Sequence, residues 1–403
     1  MLALGLALAM AMEGGSPVLP CAELSPKVHA IVEAAWQEAG QQAQSQLDPK
    51  HQADLKADRE LGAEYAAMVE KEEKVSTNQA YIDRLQRIGG EIARIANSNQ
   101  VSVSWGDPRL NPFAYEFKVL EGKEVNAFSL PGGYLYFYEG LMAYAESDDE
   151  LAGVVAHEIS HSSFRHLATL SKEQSKFDTM SIPMILAALI LKGDAGMGVL
   201  VLRDLVGLSS KSGWSVKAEL AADYGAFQYM RMSPYNPVGM LTFMERLAKD
   251  QRALEAIDWG IYRTHPPSRD RADRLTKYLK EAKIPILRSE VSSSFRAQVR
   301  PAEPGFEIVF GGRRVHLFGG AQANARAVEA LKRLNTFFDA VPDLYEVQAG
   351  PDGVVLGRRK ALFVVTQEDA EALGLMQEDA TEEAVRSIKR SLYMLAYRIW
   401  DIR

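Results

Sequence analysis

Val155-Ala156-His157-Glu158-Ile159-Ser160-His161 decides the reading of this chain. The pattern is H-E-x-x-H. On an α-helix, residues four apart share a face, so His157 and His161 can aim both imidazoles at one point. That is the geometry for holding a zinc ion, with Glu158 one step round the helix and able to act on a water there. The flanking residues predict the helix. Ser147 and Glu150 form an S-x-x-E capping-box signature ahead of the apolar Leu151, Val154 and Val155. Two satisfied histidines in an ordinary core helix are the bland alternative, and the rest of the chain weighs against it.

The 403 residues are 47% hydrophobic and 25% charged, a globular profile with room for two or three domains. A net charge of -7 argues against nucleic acid as the main partner and leaves proteins or peptides as substrates. The single cysteine, Cys21, excludes an intramolecular disulfide and a thiolate metal site. Metal ligands must come from Asp, Glu and seven histidines: His29, His51, His157, His161, His166, His265 and His316. Residues 1–22 open with MLALGLALAMAM, similar to the apolar region of a signal peptide, although no Lys or Arg precedes it. The run is too short to span a bilayer. The expectation is an exported protein, periplasmic or otherwise, with possible membrane association.

Residues 23–58 are polar and read as surface helix or flexible leader. Helical spacing follows over 60–74 and over 77–97, where Tyr81, Ile82, Leu85, Ile88, Ile92 and Ile95 recur on one face. The period then changes. FAYEFKVL (113–120), VNAFSL (125–130) and YLYFY (134–138) predict a small antiparallel meander before the motif helix. An edge strand there can pair with substrate backbone, which assigns a substrate-binding role to Asn126, Ala127 and Phe128. An ordinary core hairpin is the alternative. Apolar runs at 182–191 and 199–208 are each about half a membrane crossing. They read as a buried helical hairpin, or as a lid or peripheral membrane contact spanning 179–208. Beyond Pro285 and Ser292-Ser293-Ser294, which mark a linker, the pattern shifts to a small α+β domain over 300–403.

A catalytic zinc takes three protein ligands. Glu219, in a helical stretch over 217–230, is the candidate third. Asp223 lies four residues on, on the same face, where it can orient a ligand histidine.

The segments NAFSLPGGYLYFYEGLM, ELAGVVAHEISHSSFRH, AELAADYGA and THPPSRDR, in that order, resemble the HtpX, Oma and CAAX-prenyl-protease group of zinc metallopeptidases. These are gluzincins, and the layout is most like that of the soluble BepA-like periplasmic members. The likeness covers about residues 58–282. It implies a mainly helical zincin-type peptidase core with a small sheet over 59–285, so the whole chain is expected to be α+β. It also implies one zinc per chain on His157, His161 and Glu219, with Glu158 as general base. The H-P-x-x-x-x-R motif matches His265 and Arg271, which implies places at the cleft and candidate roles as transition-state donors. His166 matches a family position and reads as structural. Two departures stand out: the sequence shows none of the long transmembrane helices of the integral-membrane members, and residues 300–403 lack the tetratricopeptide repeats in which the BepA-like members end. The expected function is a zinc metalloendopeptidase of envelope protein quality control. A chaperone-like or adaptor protein, or a membrane-attached protease, are the alternatives. Oligomeric state is not legible in the sequence.

Overall fold

In the computed structural model, which describes residues 47–174, 214–253 and 269–395, the α+β class expected from the sequence is what the chain adopts. Helix α1 (Pro49–Glu72) begins where Asp48 accepts from the His51 amide at 3.0 Å and Pro49 sits at the first helical position. It starts earlier than the expected 60–74, so residues 49–58 belong to the core-packed helix. Helix α2 (Gln79–Ser98) buries Leu85, Ile88, Ile92 and Ile95, the stripe read from the sequence.

Three strands follow, β1 (Glu116–Leu120), β2 (Ala127–Leu130) and β3 (Tyr134–Tyr138). Their order differs from the expected meander. β3 lies in the middle, antiparallel to β2 and parallel to β1. The composition of β3 explains this, because all five of its residues are buried, as suits a strand covered on both faces. Tyr134, Tyr136 and Tyr138 pack towards Tyr65, Ala66 and Val69 of α1. Leu135 and Phe137 face the larger core with the α2 stripe. β2 is an edge strand of this sheet.

The larger core also takes in α4 (Asp148–Ser163), α6 (Trp214–Arg231), α7 (Val238–Ala253) and α8 (Arg269–Glu281), after a short α3 (Glu139–Tyr144) and with α5 (His166–Gln174) following the motif helix. Gly153 of α4 lies so near Met240 that a Cβ there would sit 2.9 Å from its side chain, so α7 packs closely on the motif helix.

The C-terminal region has its own core, built from Phe295, Ile308, Phe310, Phe318, Leu334, Phe338, Val355, Ile388 and Leu392 among others. One antiparallel sheet contains β4 (Gln298–Ala302), β5 (Gly305–Phe310) and β6 (Arg313–Phe318). A second contains β7 (Val347–Ala349), β8 (Val354–Gly357) and β9 (Lys360–Val364). Helices α10 (Ala323–Asp339), α11 (Gln367–Leu373) and α12 (Gln377–Met394) pack on them. β4 and β8 escaped the sequence reading. β4 carries Pro301 and lies at a sheet edge, where a missing amide is tolerated. Thr381 lies inside the last helix and donates back to the Gln377 carbonyl at 2.7 Å.

The expected linker is a packed joint. A short helix, α9 (Arg288–Val291), precedes a 3-10 turn at Ser293–Phe295. Buried Arg288 makes a two-pronged ion pair with buried Glu245, both bonds at 2.8 Å. The Ser292 hydroxyl and the Ser294 amide and hydroxyl all donate to Glu146, just before the motif helix. Among the described residues no helix is long and apolar enough to cross a membrane. The 179–208 stretch, with its expected hairpin or lid, lies outside them, as do residues 1–46.

Candidate metal centre

Helix α4 starts as the sequence requires. The Ser147 hydroxyl accepts from the Glu150 amide at 3.1 Å, while the Glu150 side chain accepts from the Glu146 amide and holds Arg246. Acidic residues crowd its first turn, Asp148, Asp149 and Glu150, where the helix dipole favours them. Two turns further on, His157 and His161 emerge on one face with their Nε2 atoms 3.1 Å apart.

Glu219 comes from α6. Small residues let that helix lie close to α4: Ala222 is fully buried, and a Cβ on Gly225 would sit 2.3 Å from the Phe164 ring. The Glu219 carboxylate accordingly reaches both histidines, with Oε2 3.3 Å from His157 Nε2 and Oε1 3.4 Å from His161 Nε2. Among the described residues these three form the one group of His, Cys, Asp and Glu side chains arranged to hold a metal. Donors about 2 Å from a common centre, set on a tetrahedron, stand about 3.3 Å apart. The two Nε2 atoms, 3.1 Å apart, fit that demand, the carboxylate straddles them with one oxygen 3.3–3.4 Å from each, and two imidazoles with one carboxylate suit zinc chemically.

Behind the donors lies a second set of contacts. Asp223 Oδ1 is 3.1 Å from His157 Nδ1, the nitrogen turned away from the centre. Arg271, from the first turn of α8, donates through Nε and Nη2 to both oxygens of Asp223 at 2.7 Å, and its Nη1 is 3.0 Å from Glu219 Oε2. Asp223 and Arg271 are both buried. Burial opposes the Asp223 charge, but the Arg271 charge and hydrogen bonds outweigh it and hold the carboxyl below its ordinary range. Burial likewise pulls His157 down, yet its hydrogen bonds to Asp223 and Glu219 and their charges lift it to about 10.

Glu158 is fully buried on the same helix. The structure also gathers residues the sequence reading passed over. The α4–α5 turn puts Arg165 at φ 49, in the left-handed region, and buries its side chain. Its guanidinium holds Asp58 of α1 and Asp107. His166, read as structural, has its Nδ1 3.0 Å from His161 Nδ1. The available signal was an Arg-His pair following the motif after Ser162-Ser163-Phe164, yet nothing local marks what such a pair touches. His316, by contrast, lies in β6 far along the chain beside Asp369, as a strand residue.

Of the substrate-binding candidates, Ala127 and Phe128 begin β2 and are buried, Phe128 stacking on Tyr136 with ring centres 5.2 Å apart. Asn126 just precedes the strand, and its carbonyl accepts from the Tyr138 amide at 3.0 Å. The Ser162 hydroxyl of α4 donates to the Leu130 carbonyl at 3.5 Å, so this edge strand runs beside the motif helix. His265 lies outside the described residues.

Residues 84–279 match Peptidase family M48. That stretch is similar to M48 peptidase domains. Over 156 residues it is 31% identical to the beta-barrel assembly-enhancing protease of Escherichia coli, covering 38% of this chain and 32% of that protein. It is 29% identical over 180 residues to the mitochondrial metalloendopeptidase OMA1 of Schizosaccharomyces pombe, covering 43% and 50%. The metalloprotease LoiP of Escherichia coli is 27% identical over 203 residues, covering 49% and 70%. The chain spans less than half the length of the beta-barrel assembly-enhancing relatives it matches. The M48 match ends just before the joint at Arg288, so the C-terminal α+β region lies beyond it.

Proposed function

We propose that this chain is a zinc-dependent metalloendopeptidase that hydrolyses proteins or peptides. The observation that carries the reading is the convergence of His157 Nε2, His161 Nε2 and the Glu219 carboxylate on one point, within the stretch that matches family M48. His157 and His161, through Nε2, and Glu219, through its carboxylate, would hold one zinc. When bound, zinc supplies a Lewis acid that polarises the scissile carbonyl and makes water a competent nucleophile near neutral pH.

The protein's own groups do the rest. Asp223 accepts the Nδ1 proton of His157, which leaves the Nε2 lone pair facing the site. Glu158 takes a proton from the attacking water and returns it to the leaving amine. Arg271 has all three guanidinium nitrogens turned to Asp223 and Glu219, so its role is to position those carboxylates. The developing oxyanion then falls to His265. The β2 edge, from Asn126 through Phe128, would accept the substrate main chain as an added strand, giving affinity with little demand on side-chain identity. The relatives named for beta-barrel assembly support export and a place in envelope protein quality control.

The test compares cleavage of an unfolded protein by the wild type and by Glu158→Gln, with zinc content measured for each. The expected result is about one zinc in both and cleavage lost about 10²- to 10⁴-fold in the variant. Equal cleavage by both would remove Glu158 from the chemistry. Zinc binding without any cleavage by the wild type would favour a chaperone-like role.

A further inference from the structure

We propose that His166 is a positioning residue for the metal: its Nδ1 accepts the Nδ1 proton of His161 and so aims His161 Nε2 at the site. The inference rests on the metal-centre reading above. Its ground is the 3.0 Å separation between the two Nδ1 atoms.

A hydrogen bond between two imidazole nitrogens needs one donor and one acceptor. His161 Nε2 faces His157 Nε2 and Glu219, so a ligand His161 must present a bare Nε2 and keep its proton on Nδ1. His166 must then accept, which requires it to be neutral with its own proton on Nε2.

The ring is also fixed in place. Trp105 lies against it with centroids 5.1 Å apart, and Phe164 at 5.7 Å. The left-handed Arg165 turns the chain so that His166, at the start of α5, folds back onto α4. The pocket is tight on the Gly106 side, where a Cβ would stand 3.0 Å from the imidazole. Each ligand histidine thus has its own orienting acceptor, a charged one for His157 (Asp223) and a neutral one for His161 (His166). Orienting partners of this kind govern metal affinity as well as activity.

The experiment measures zinc affinity of the full chain by competition with a chromophoric chelator, for wild type, His166→Leu and His166→Asn. Leu fills the volume without an acceptor, whereas Asn keeps an acceptor near the Nδ1 position. Thermal melting of the zinc-stripped proteins is the second readout. The expected result is a 10- to 100-fold weaker affinity for Leu, recovery to within about threefold for Asn, and similar zinc-free melting of the two variants. Wild-type affinity in His166→Leu overturns the proposal. So does equal loss in both variants with a matching fall in zinc-free stability, which would make His166 a packing residue. If His166→Leu does not fold, His166→Gln, whose acceptor is carried past the Nδ1 position, replaces it in the same comparison with Asn. Failure of the wild type itself to bind zinc would refute the metal centre and not this contact alone.

Discussion

Asp58 on the first helix holds Arg165 at the end of the motif helix, with Nε donating to Oδ2 at 2.5 Å and Nη2 to Oδ1 at 3.0 Å. Asp107 accepts from the same guanidinium at 3.0 Å. The pair ties residues 107 positions apart across the back of the metal centre, immediately before His166.

Breaking that tie should cost stability and metal together. Asp58→Ala leaves the buried Arg165 charge with Asp107 and a more distant Asp54. The expected loss is about 3 kcal/mol, the lower end for a broken buried pair because two carboxylates remain. Denaturant unfolding measures it. A chain beginning at residue 59 should be worse still, since it lacks Leu55 from the core as well. Wild-type stability in the shortened chain would show that the N-terminal turns of α1 are dispensable.

Glu219 should be required for metal. Glu219→Ala removes one of three donors, and zinc retention under chelator competition should fall by at least about 100-fold. It also takes one of two carboxylate contacts from buried Arg271, so zinc-free melting should fall too. Full occupancy at wild-type affinity would exclude Glu219 from the ligand set.

Asp223→Asn should separate holding from positioning. The substitution keeps the shape but weakens the acceptor for His157 Nδ1 and removes one of the two carboxylate charges that Arg271 meets. Zinc affinity is expected to drop about 10- to 100-fold, less than for Glu219→Ala. Chelator competition on both proteins ranks them, and the reverse order would make Asp223 a ligand.

Acid should unfold the chain through particular carboxylates. Burial opposes the charge on Asp107, yet Arg109 and Arg165 hold its pKa well below the ordinary range. Asp369 is likewise held down, by His316, Arg326 and the Thr366 and Gly319 amides against burial. A depressed pKa in the folded state gives stability that is complete above the unfolded value, about 3.9, and is lost as pH falls through the folded one. Melting temperature should therefore drop below about pH 4. Asp107→Asn should be less stable than wild type at neutral pH, with the gap closing as pH falls. A gap that stays constant with pH would assign the effect to packing.

Shortening the chain at Arg288 should leave the metal site intact at reduced stability. The Arg288–Glu245 pair survives, but Glu146 loses three donors from Ser292 and Ser294. A loss of about 1–3 kcal/mol is expected, with zinc still bound. Loss of zinc would show that the joint, next to the N-cap of the motif helix, sets the geometry of the ligands.

What the sequence by itself determined is local. His157 and His161 had to share a face once Ser147 started a helix, because the 3.6-residue period is set by backbone hydrogen bonding within that segment. The same rule placed Glu219 beside Asp223, and the stripe Leu85, Ile88, Ile92, Ile95 against the core. The motifs also carried the family. Tertiary structure decided everything that depends on which elements meet. β3 lies between β1 and β2 because its residues are buried on both faces, a property no single strand reveals by its own alternation. Arg271 reached Asp223 and Glu219, and His166 turned onto His161, through close helix packing at Gly225 and a left-handed turn at Arg165. The serine-rich joint read as a linker because its composition is polar. Its donors find acceptors only when Glu146, far earlier in the chain, is brought beside them. Such partners are set by packing between elements, and spacing along the chain carries no record of it.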